Sequence, residues 1–545
     1  MFRKKILVVI PVRGNSKGIP GKNKRFINGK PLMAYAIEHA LTLSTEYEAD
    51  VVVDTEDVEL AEIAEIYGAK VVQRPNELSG DEITLDPVIY HALNSMELEL
   101  KCRYDIVITM QATSPTLKPE TLKKALFDFE ENGYDTIISV VDDRHLGWTK
   151  KKEKIVPAYS ERKNRQYLPL EYRETGAFVI TKRECVTVDT RIGDNVSIYE
   201  ISSKEAVDID TAEDFILCEK IMQSKKILFY ANGEEKLGMG HVYRCLSIAY
   251  QLTGNEVLFV SDAKCELGIK KIEESFFPIR KINSQQDLLD VIREYRPDVL
   301  VNDILNTTQE YMSLVRNMVP RIVNFEDEGK GALKADAVIN ALYFGKPRCN
   351  EYKGFEYFFI RDEFFLTGVS DFHSEVKNVV VLFGGTDPSD LTRKILPVLE
   401  KVADQYLNIK FNIVTGFGYS HKYEIQNDER HRIYIQNDVK RVSTFMKDAD
   451  LAITSQGRTI YELAYMGVPS IVLAQNRREM SHEFAEFQNG YINLGLGEQI
   501  DTETIFSTID WLIRTPNVRK QMHDLMLTKD FKSGKERVLN LILGK

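Results

Sequence analysis

Apolar and polar positions in residues 1–222 form alternating blocks, each typical of a strand or of a helix. Short apolar runs predict buried strands, whereas segments with apolar residues every three or four positions predict helices. Such alternation favours right-handed crossovers and a mainly parallel sheet, which is the α/β class. The predicted strands are 6–10, 51–53, 70–72, 105–108 and 136–140, and the predicted helices are 58–68, 86–96 and 119–133.

The same pattern begins again at two later points in the chain. Residues 226–231 predict a second opening strand, which runs into a glycine-rich loop at 237–241. Residues 379–383 predict a third opening strand, again followed by glycines. The predicted organisation is one domain at 1–222, a boundary at 223–225, and two Rossmann-like lobes at 226–368 and 376–545.

Composition excludes several classes of protein. A chain of 545 residues is too long for one core, and a net charge of −11 argues against general nucleic-acid binding. The six cysteines form no Cys-x-x-Cys pair, so neither a zinc site nor a disulfide framework is predicted, and a cytoplasmic setting fits. Because no apolar run approaches about 20 residues, we predict no transmembrane helix and no membrane partner.

The loop at 11–23 is the first candidate for chemistry. It follows a predicted strand, precedes a helix that begins near residue 31, and contains three glycines with the cations Arg13, Lys17 and Lys22. Glycines let backbone N–H groups surround an anion, and cations neutralise it. The spacing matches neither the P-loop nor the dinucleotide Gly-x-Gly-x-x-Gly pattern. The loop therefore predicts a polyphosphate site at the carboxyl edge of a parallel sheet, or else a basic surface loop.

The order of residues in this loop resembles the N-terminal motif of the acylneuraminate cytidylyltransferases, which make CMP-activated, sialic-acid-like sugars. Only Val12 replaces the usual Ala. The resemblance continues to about residue 222 in the family's order. Departures occur at 54–57, where the family has Ser-Thr-Asp-Asp, and at Thr116 and Thr175, and they leave the phosphate end intact. The further matching segments are 74–78, 111–115, 165–169, 176–177 and 208–210.

This resemblance implies that the 2-hydroxyl of a keto-acid sugar attacks the α-phosphate of CTP, and that diphosphate leaves. It implies catalytic roles for Arg13 and Lys22, which would steady the triphosphate. The other implied contacts are Ser16 and Asn23 lining the loop, Arg74 and Gln111 near the base, ribose or substrate, and Gln166 facing the sugar.

Asp208 and Asp210 are the predicted metal ligands. They flank one residue, so from a strand their side chains would point the same way. Two carboxylates suit a Mg²⁺ ion that keeps several waters and phosphate oxygens. Asp-x-Asp pairs also occur on ordinary protein surfaces, so the assignment of this pair as metal ligands depends on the resemblance to the family.

A second resemblance begins at Gly238-Met239-Gly240-His241. It is to the UDP-sugar hydrolase of pseudaminic acid biosynthesis and to related spore-coat polysaccharide proteins, which share the two-lobed GT-B fold. The match covers about 226–500 and includes segments 384–387, 455–462 and 475–479. It implies that His241 activates water as a general base. The other implied residues are Gly457, Arg458 and Thr459 on the diphosphate, Glu462 on ribose, and Asn476, Asp303 and Asp327 as further candidates for the sugar.

Together the residues and resemblances predict a bifunctional enzyme of nonulosonic acid biosynthesis. The first module would form a CMP-nonulosonate with Mg²⁺, and the second would release UDP from a UDP-linked amino sugar. Three alternatives stay open: the second module transfers the sugar, it only binds a nucleotide sugar, or the first module uses an eight-carbon acid. The resemblance also implies a homodimer formed through the first module.

Overall fold

The computed structural model describes residues 4–14, 16, 18–80, 82–234, 238–421, 424–437 and 439–545. The predicted site positions Asn15, Lys17 and Leu237 lie outside this described part. The chain divides into two compact units, Met1–Ser224 and Lys225–Lys545.

The N-terminal unit is built on one seven-stranded sheet between layers of helices. Alternate residues of its first strand enter two different cores: Val8 packs with Met33 and Leu122, whereas Val9 packs with Ile89. This two-sided burial is why the strands read as continuous apolar runs. Its strands are β1 (Lys5–Pro11), β2 (Phe26–Ile27), β3 (Lys30–Pro31), β4 (Glu48–Thr55), β5 (Lys70–Gln73), β6 (Ile106–Thr109), β7 (Thr136–Asp142), β8 (Trp148–Lys151), β9 (Lys154–Pro157), β10 (Tyr172–Lys182) and β11 (Val196–Glu200). Its helices are α1 (Leu32–Leu41), α2 (Val58–Ile66), α3 (Leu85–Leu100), α4 (Pro119–Asn132) and α5 (Ala212–Met222).

The sheet order is β11-β7-β10-β6-β1-β4-β5. β1 lies parallel to β4 and to β6, with Val8 opposite both Val51 and Ile108. β10 is antiparallel to both of its neighbours, so the sheet is mixed rather than purely parallel. Because β1, β4 and β6 are parallel neighbours, the loops that follow them meet at one edge of the sheet.

The C-terminal unit contains two further sheets, of seven and six strands, with orders β14-β13-β12-β15-β16-β17-β18 and β21-β20-β19-β22-β23-β24. All their pairings are parallel. The strands are β12 (Lys226–Ala231), β13 (Glu256–Asp262), β14 (Ile279–Ile282), β15 (Val299–Asp303), β16 (Arg321–Phe325), β17 (Ala337–Asn340), β18 (Glu351–Lys353), β19 (Asn378–Leu382), β20 (Lys410–Thr415), β21 (Ile433–Asn437), β22 (Leu451–Thr454), β23 (Ser470–Ala474) and β24 (Tyr491–Leu496). The helices are α6 (Gly240–Ala249), α7 (Glu266–Glu274), α8 (Gln285–Tyr295), α9 (Gln309–Arg316), α10 (Asp362–Thr367), α11 (Leu391–Gln405), α12 (Val442–Lys447), α13 (Thr459–Met466), α14 (Thr502–Arg514), α15 (Pro516–Leu527) and α16 (Gly534–Leu543).

The cores of the two lobes do not follow the predicted division at 368 and 376. Helix α16 returns to the first lobe, where Val538 and Ile542 pack with Phe229. In the other direction, Phe358 and Phe364 join the core of the second lobe. Each exchanged segment buries its apolar face in the core of the opposite lobe, which the order of the pattern along the chain does not reveal.

Within the described residues, no helix has both the length and the apolar character needed to cross a bilayer.

Candidate active sites

A cleft of about 460 Å³ lies at the carboxyl edge of the N-terminal sheet, beside the end of β1. Seven of the predicted site residues line it: Arg13, Ser16, Lys22, Asn23, Arg74, Gln111 and Asp210. The remainder of the wall comes from the loop before α3, the first turns of α3, and the segment after β6. The fold thus brings residues from positions 13 to 210 to one place.

The loop after β1 is fixed by its own backbone. Gly21 has a φ of 64°, a left-handed conformation that favours glycine, and it starts the short 3₁₀ turn Lys22–Lys24. The Asn23 side chain donates to the Arg13 carbonyl at 3.0 Å and so joins the two ends of the loop. A Cβ at Gly18 would lie 2.4 Å from the Asp210 carbonyl oxygen, so the loop contacts the acidic segment directly.

Lys22 joins the predicted phosphate loop to the predicted metal ligands. Its side chain is buried, donates to the Ile209 carbonyl, and lies 3.1 Å from Asp210 Oδ1. The cation is therefore held in one orientation at the cleft wall.

Asp208 and Asp210 do not lie on a strand, as the sequence had predicted, but in the connection between β11 and α5. Ile209 between them is buried, and its N–H donates to the Thr113 carbonyl at 2.9 Å. The two carboxylates have different surroundings, since the Asp210 side chain is 73% exposed whereas Asp208 Oδ1 is buried without a hydrogen-bond partner among the described residues. Burial, and then the Asp210 charge, raise the pKa of Asp208.

An orphaned carboxylate oxygen beside a second carboxylate is a donor set that fits Mg²⁺. In the described part of the chain, no group of three or more His, Cys, Asp and Glu side chains is arranged to hold a metal. Two protein ligands with remaining positions for water and phosphate agree with the way Mg²⁺ binds at phosphoryl-transfer sites.

Arg74 is buried in the cleft wall rather than exposed at a strand end. Its Nε donates to Asp54 Oδ1 at 2.5 Å, and its Nη2 donates to the Asp54 carbonyl at 2.7 Å. Asp54 Oδ2 lies 3.2 Å from His91 Nδ1. Burial raises the pKa of Asp54, although Arg74 and His91 oppose that effect.

Of the two predicted glutamines, Gln111 lines the cleft and Gln166 does not. A Cβ at Gly176 would lie 2.8 Å from the Gln111 side chain, so the glycine in β10 makes room for this glutamine at the cleft. Gln166 lies in the exposed 3₁₀ turn Arg165–Tyr167 and is not among the described residues that line the cleft. Contact between Gln166 and a sugar stays a prediction.

In the C-terminal unit, His241 lies in the first turn of α6, where it is buried. Its Nδ1 is 2.6 Å from Oδ1 of Asp303, the last residue of β15. A carboxylate on Nδ1 fixes the imidazole and directs Nε2 away from the pair, the arrangement of a general base.

Arg244 connects this pair to a larger charge cluster, all of it buried except the partly buried Arg458. We call it the His241 cluster: His241, Arg244, Asp303, Glu326 and Arg458. Arg244 Nε donates to Asp303 Oδ2 at 2.7 Å, and Nη1 donates to Glu326. Burial alone would raise the pKa of both acids, but Arg244 holds the pKa of Asp303 well below its usual range and that of Glu326 at about 2.

Arg458 comes from the second lobe and completes the cluster, with Nη1 3.6 Å from Glu326 and its guanidinium 4.7 Å above the Phe358 ring. Burial, and then the charge of Arg244, lower the pKa of Arg458 to about 10. A Cβ at Gly240 would lie 3.2 Å from Arg458 Cδ, so the two lobes meet beside His241. Gly457 and Thr459 lie beside Arg458 at the start of α13.

The other predicted nucleotide-sugar residues already have protein partners. Glu462 Oε1 accepts from Arg361 at 3.0 Å. Asn476 Oδ1 accepts from the backbone N–H groups of Arg478 and Glu479, each at 3.0 Å. Asp327 holds the loop at Thr307 with both of its carboxylate oxygens. Its Oδ1 accepts from the Thr307 N–H, and its Oδ2 accepts from the Thr307 hydroxyl at 2.6 Å.

Glu479, the first residue of the 3₁₀ turn Glu479–Ser481, is a carboxylate that the sequence did not single out. Its Oε2 accepts from the backbone N–H groups of Gln475 at 2.8 Å and Gln456 at 3.1 Å. A Cβ at Gly457 would lie 3.2 Å from its Oε1. Burial raises the pKa of Glu479 to about 7.

Comparison with known proteins assigns the first unit. A family model described as "Cytidylyltransferase" matches residues 7–239. Over 229 residues the chain is 30% identical to "Post-translational flagellin modification protein B" of Campylobacter coli, which covers 41% of this chain and 97% of that protein. The chain belongs to the cytidylyltransferase family.

The chain is also similar to two proteins that match different shares of it. It is 32% identical over 224 residues to "N-acylneuraminate cytidylyltransferase A" of Danio rerio, covering 39% of this chain and 50% of that protein. It is 28% identical over 313 residues to "Spore coat polysaccharide biosynthesis protein SpsG" of Bacillus subtilis, covering 54% of this chain and 91% of that protein. The chain thus spans half the length of the Danio rerio relative.

A second family model, "Glycosyltransferase family 28 C-terminal domain", matches residues 379–538 of the chain. The predicted fold class is confirmed: a Rossmann-like nucleotidyltransferase unit precedes a two-lobed, GT-B-like unit that resembles a glycosyltransferase.

Sequence reasoning passed over Asp54, Arg244, Glu326 and Glu479 as candidate site residues. Two of these three acids, Asp54 and Glu326, do carry a signal in the sequence, and the predicted candidate Asp303 shares it. Asp54 is the penultimate residue of β4, Asp303 ends β15, and Glu326 follows β16 directly. An acid at the carboxyl end of a buried parallel strand is placed where such sheets bind ligands. Glu479 carries no such signal, because its role depends on the turn that Asn476 caps.

Proposed function

We propose that the N-terminal unit transfers the CMP group of CTP to the 2-hydroxyl of a nine-carbon, sialic-acid-like acid. The hydroxyl oxygen forms a bond to the α-phosphorus, the bond from that phosphorus to the bridging oxygen breaks, and diphosphate leaves. The observation that carries the proposal is the single cleft shared by Arg13, Lys22, Arg74, Gln111 and Asp210. The name of the Danio rerio relative supports the choice of acid.

The chain's own groups suit the charge that develops in this reaction. Arg13 and Lys22 would face the triphosphate, and Lys22 is held by Asp210 and the Ile209 carbonyl, so it needs little reorganisation. Asp208 and Asp210 would hold Mg²⁺ beside them. When bound, that ion would supply electrostatic stabilisation of the phosphoryl oxygens and the leaving group.

The test is a screen for diphosphate release from CTP and Mg²⁺ over N-acetylneuraminic, legionaminic, pseudaminic and deaminated nonulosonic acids. We expect release with at least one of them. Release only with 3-deoxy-manno-octulosonic acid would assign the eight-carbon substrate instead. No release with any acid would refute the proposal. Size-exclusion chromatography with light scattering tests the expected homodimer.

We infer that the C-terminal unit binds a nucleoside-diphosphate sugar and cleaves its anomeric bond, with His241 as the base. The contact between His241 and Asp303 at 2.6 Å favours catalysis over a purely structural histidine. Both the SpsG relative and the glycosyltransferase family model support a sugar-nucleotide function. Hydrolysis of a UDP-linked amino sugar, the original prediction, differs from transfer only in which hydroxyl His241 deprotonates.

The test incubates the full chain with a panel of UDP-linked amino sugars without an acceptor. UDP release supports hydrolysis, whereas release that needs an added sugar acceptor supports transfer. Tight binding without release in either mixture would refute the catalytic role of His241.

A further inference from the structure

Asp54 is the penultimate residue of β4, next to the cleft residue Arg74. Asp54 is fully buried and contacts two side chains, Arg74 and His91. We call Asp54, Arg74 and His91 the Asp54 cluster. A buried ion pair contributes little net stability, because desolvation offsets the attraction. The carboxylate therefore needs a reason other than stability.

The geometry shows what the carboxylate does to Arg74. Arg74 donates two hydrogen bonds to Asp54, from Nε to the carboxylate and from Nη2 to the backbone carbonyl. His91 engages the other carboxylate oxygen, so Asp54 is itself held from two sides. Arg74 Nη1 lies 3.6 Å from Glu56 Oε2, and Glu56 Oε1 accepts from the Gly14 N–H at 2.8 Å. A flexible side chain is thereby fixed in one orientation in the cleft wall.

Arg74 differs from Lys22 in the burial of its carboxylate partner, because the Asp54 side chain is fully buried whereas that of Asp210 is 73% exposed. The Arg74 guanidinium is balanced by the buried Asp54 carboxylate, and Glu56 adds further negative charge beside it. A guanidinium whose charge is balanced by a carboxylate attracts a triphosphate only weakly. Its remaining N–H groups still donate directional hydrogen bonds. Such a group suits an uncharged acceptor on the nucleoside.

We propose that Asp54 is a positioning residue for nucleotide selection, which fixes Arg74 and cancels its charge so that Arg74 recognises the nucleoside and not the phosphates. This inference rests on the proposed function of the N-terminal unit. It predicts that Asp54 governs the preference for CTP over UTP, whose triphosphates are identical and whose bases differ in donor and acceptor pattern.

The experiment compares kcat/KM for CTP and UTP in diphosphate release, using the acid found in the screen and the full chain. D54N should lower the CTP-to-UTP ratio at least tenfold, mainly through KM for CTP. H91Q leaves the ion pair intact and should lower the ratio about threefold, which keeps the test informative should D54N fold poorly. D50N is the matched control, because Asp50 lies on the same strand, is paired with Lys70, and is not among the described cleft residues.

A merely structural role of Asp54 would change kcat/KM for both nucleotides alike and leave the ratio unchanged. If the ratio is unchanged in D54N and H91Q, the inference is wrong while the proposed function stands. If the wild type releases no diphosphate with any acid, both fail together.

Discussion

The two units differ in how far the charged side chains of their candidate sites are exposed to solvent. In the N-terminal cleft, Arg13 is exposed and the Asp210 side chain is 73% exposed, although Lys22 and Arg74 beside them are buried. In the C-terminal unit, four members of the His241 cluster are buried and Arg458 is partly buried, and the opposite charges are in contact. Exposed charges can adjust to a highly charged substrate, whereas buried, paired charges hold one catalytic geometry.

The sharpest way to break this comparison is to remove the metal from the N-terminal cleft. We expect EDTA to abolish diphosphate release and D208N to lower kcat/KM at least about a hundredfold, because the orphaned Asp208 oxygen loses its charge. E213Q, an exposed acid in the first turn of α5, is the control. Full activity in EDTA would show that the acids serve another purpose.

His241 tests the other side of the comparison. H241N should lower release of UDP from a UDP-sugar about 10² to 10⁴-fold, because the general base is lost. D303N should retain part of that activity, since the imidazole stays but loses its orientation. H523N is the control, because that histidine is buried against the Gly467 carbonyl instead. Equal turnover in H241N and wild type would contradict the assignment.

Stability should distinguish the buried cluster from an exposed pair. R244M leaves Asp303 and Glu326 without their shared cation, and we expect a loss of about 3–5 kcal/mol in the free energy of unfolding. R293M removes an exposed partner of Asp290 and should cost less than about 1 kcal/mol.

The measurement is urea unfolding followed by tryptophan fluorescence. The chain has two tryptophans, Trp148 in the first unit and Trp511 in the second. A W148F background therefore reports on the C-terminal unit alone. Similar losses for R244M and R293M would show that the cluster is not energetically special.

Glu479 predicts a smaller, pH-dependent effect. Its pKa is about 7 in the folded chain and about 4.5 for an ordinary glutamate, so between these values the folded state retains a proton that the unfolded state releases. Wild-type stability should therefore fall as pH rises from about 4.5 to 7 because of this group. The free energy of unfolding of E479Q, relative to wild type, should rise by up to about 3 kcal/mol over that range and then stay constant.

The same Trp511 assay at several pH values checks this expectation. E486Q reports on the same substitution at an exposed position of the same segment. A difference between E479Q and wild type that does not change with pH would remove the basis for a buried, destabilised carboxylate.

Sequence patterns predicted most of the elements that position the sites, because buried parallel strands and amphipathic helices leave clear periodicities. β12 has the predicted bounds, and α2 and α4 end within two residues of theirs. The packing of α16 on the first lobe was not predictable, because the apolar face of a helix does not indicate which sheet it will cover. The placement of Asp208 and Asp210 on a strand was also wrong. The backbone between them makes one hydrogen bond to another segment of the described backbone, from the Ile209 N–H to the Thr113 carbonyl, and not the series of bonds that defines a strand in a sheet.

The sequence by itself determined the α/β class, the cation- and glycine-bearing loop after β1, and the likeness to cytidylyltransferases, because these depend on local order along the chain. Only the tertiary structure decided that Asp54 holds Arg74, that Asp303 holds His241, and that Arg244 joins two acids from separate strands. Such contacts join residues 20 to 82 positions apart, and their distances depend on how parallel strands are ordered in a sheet.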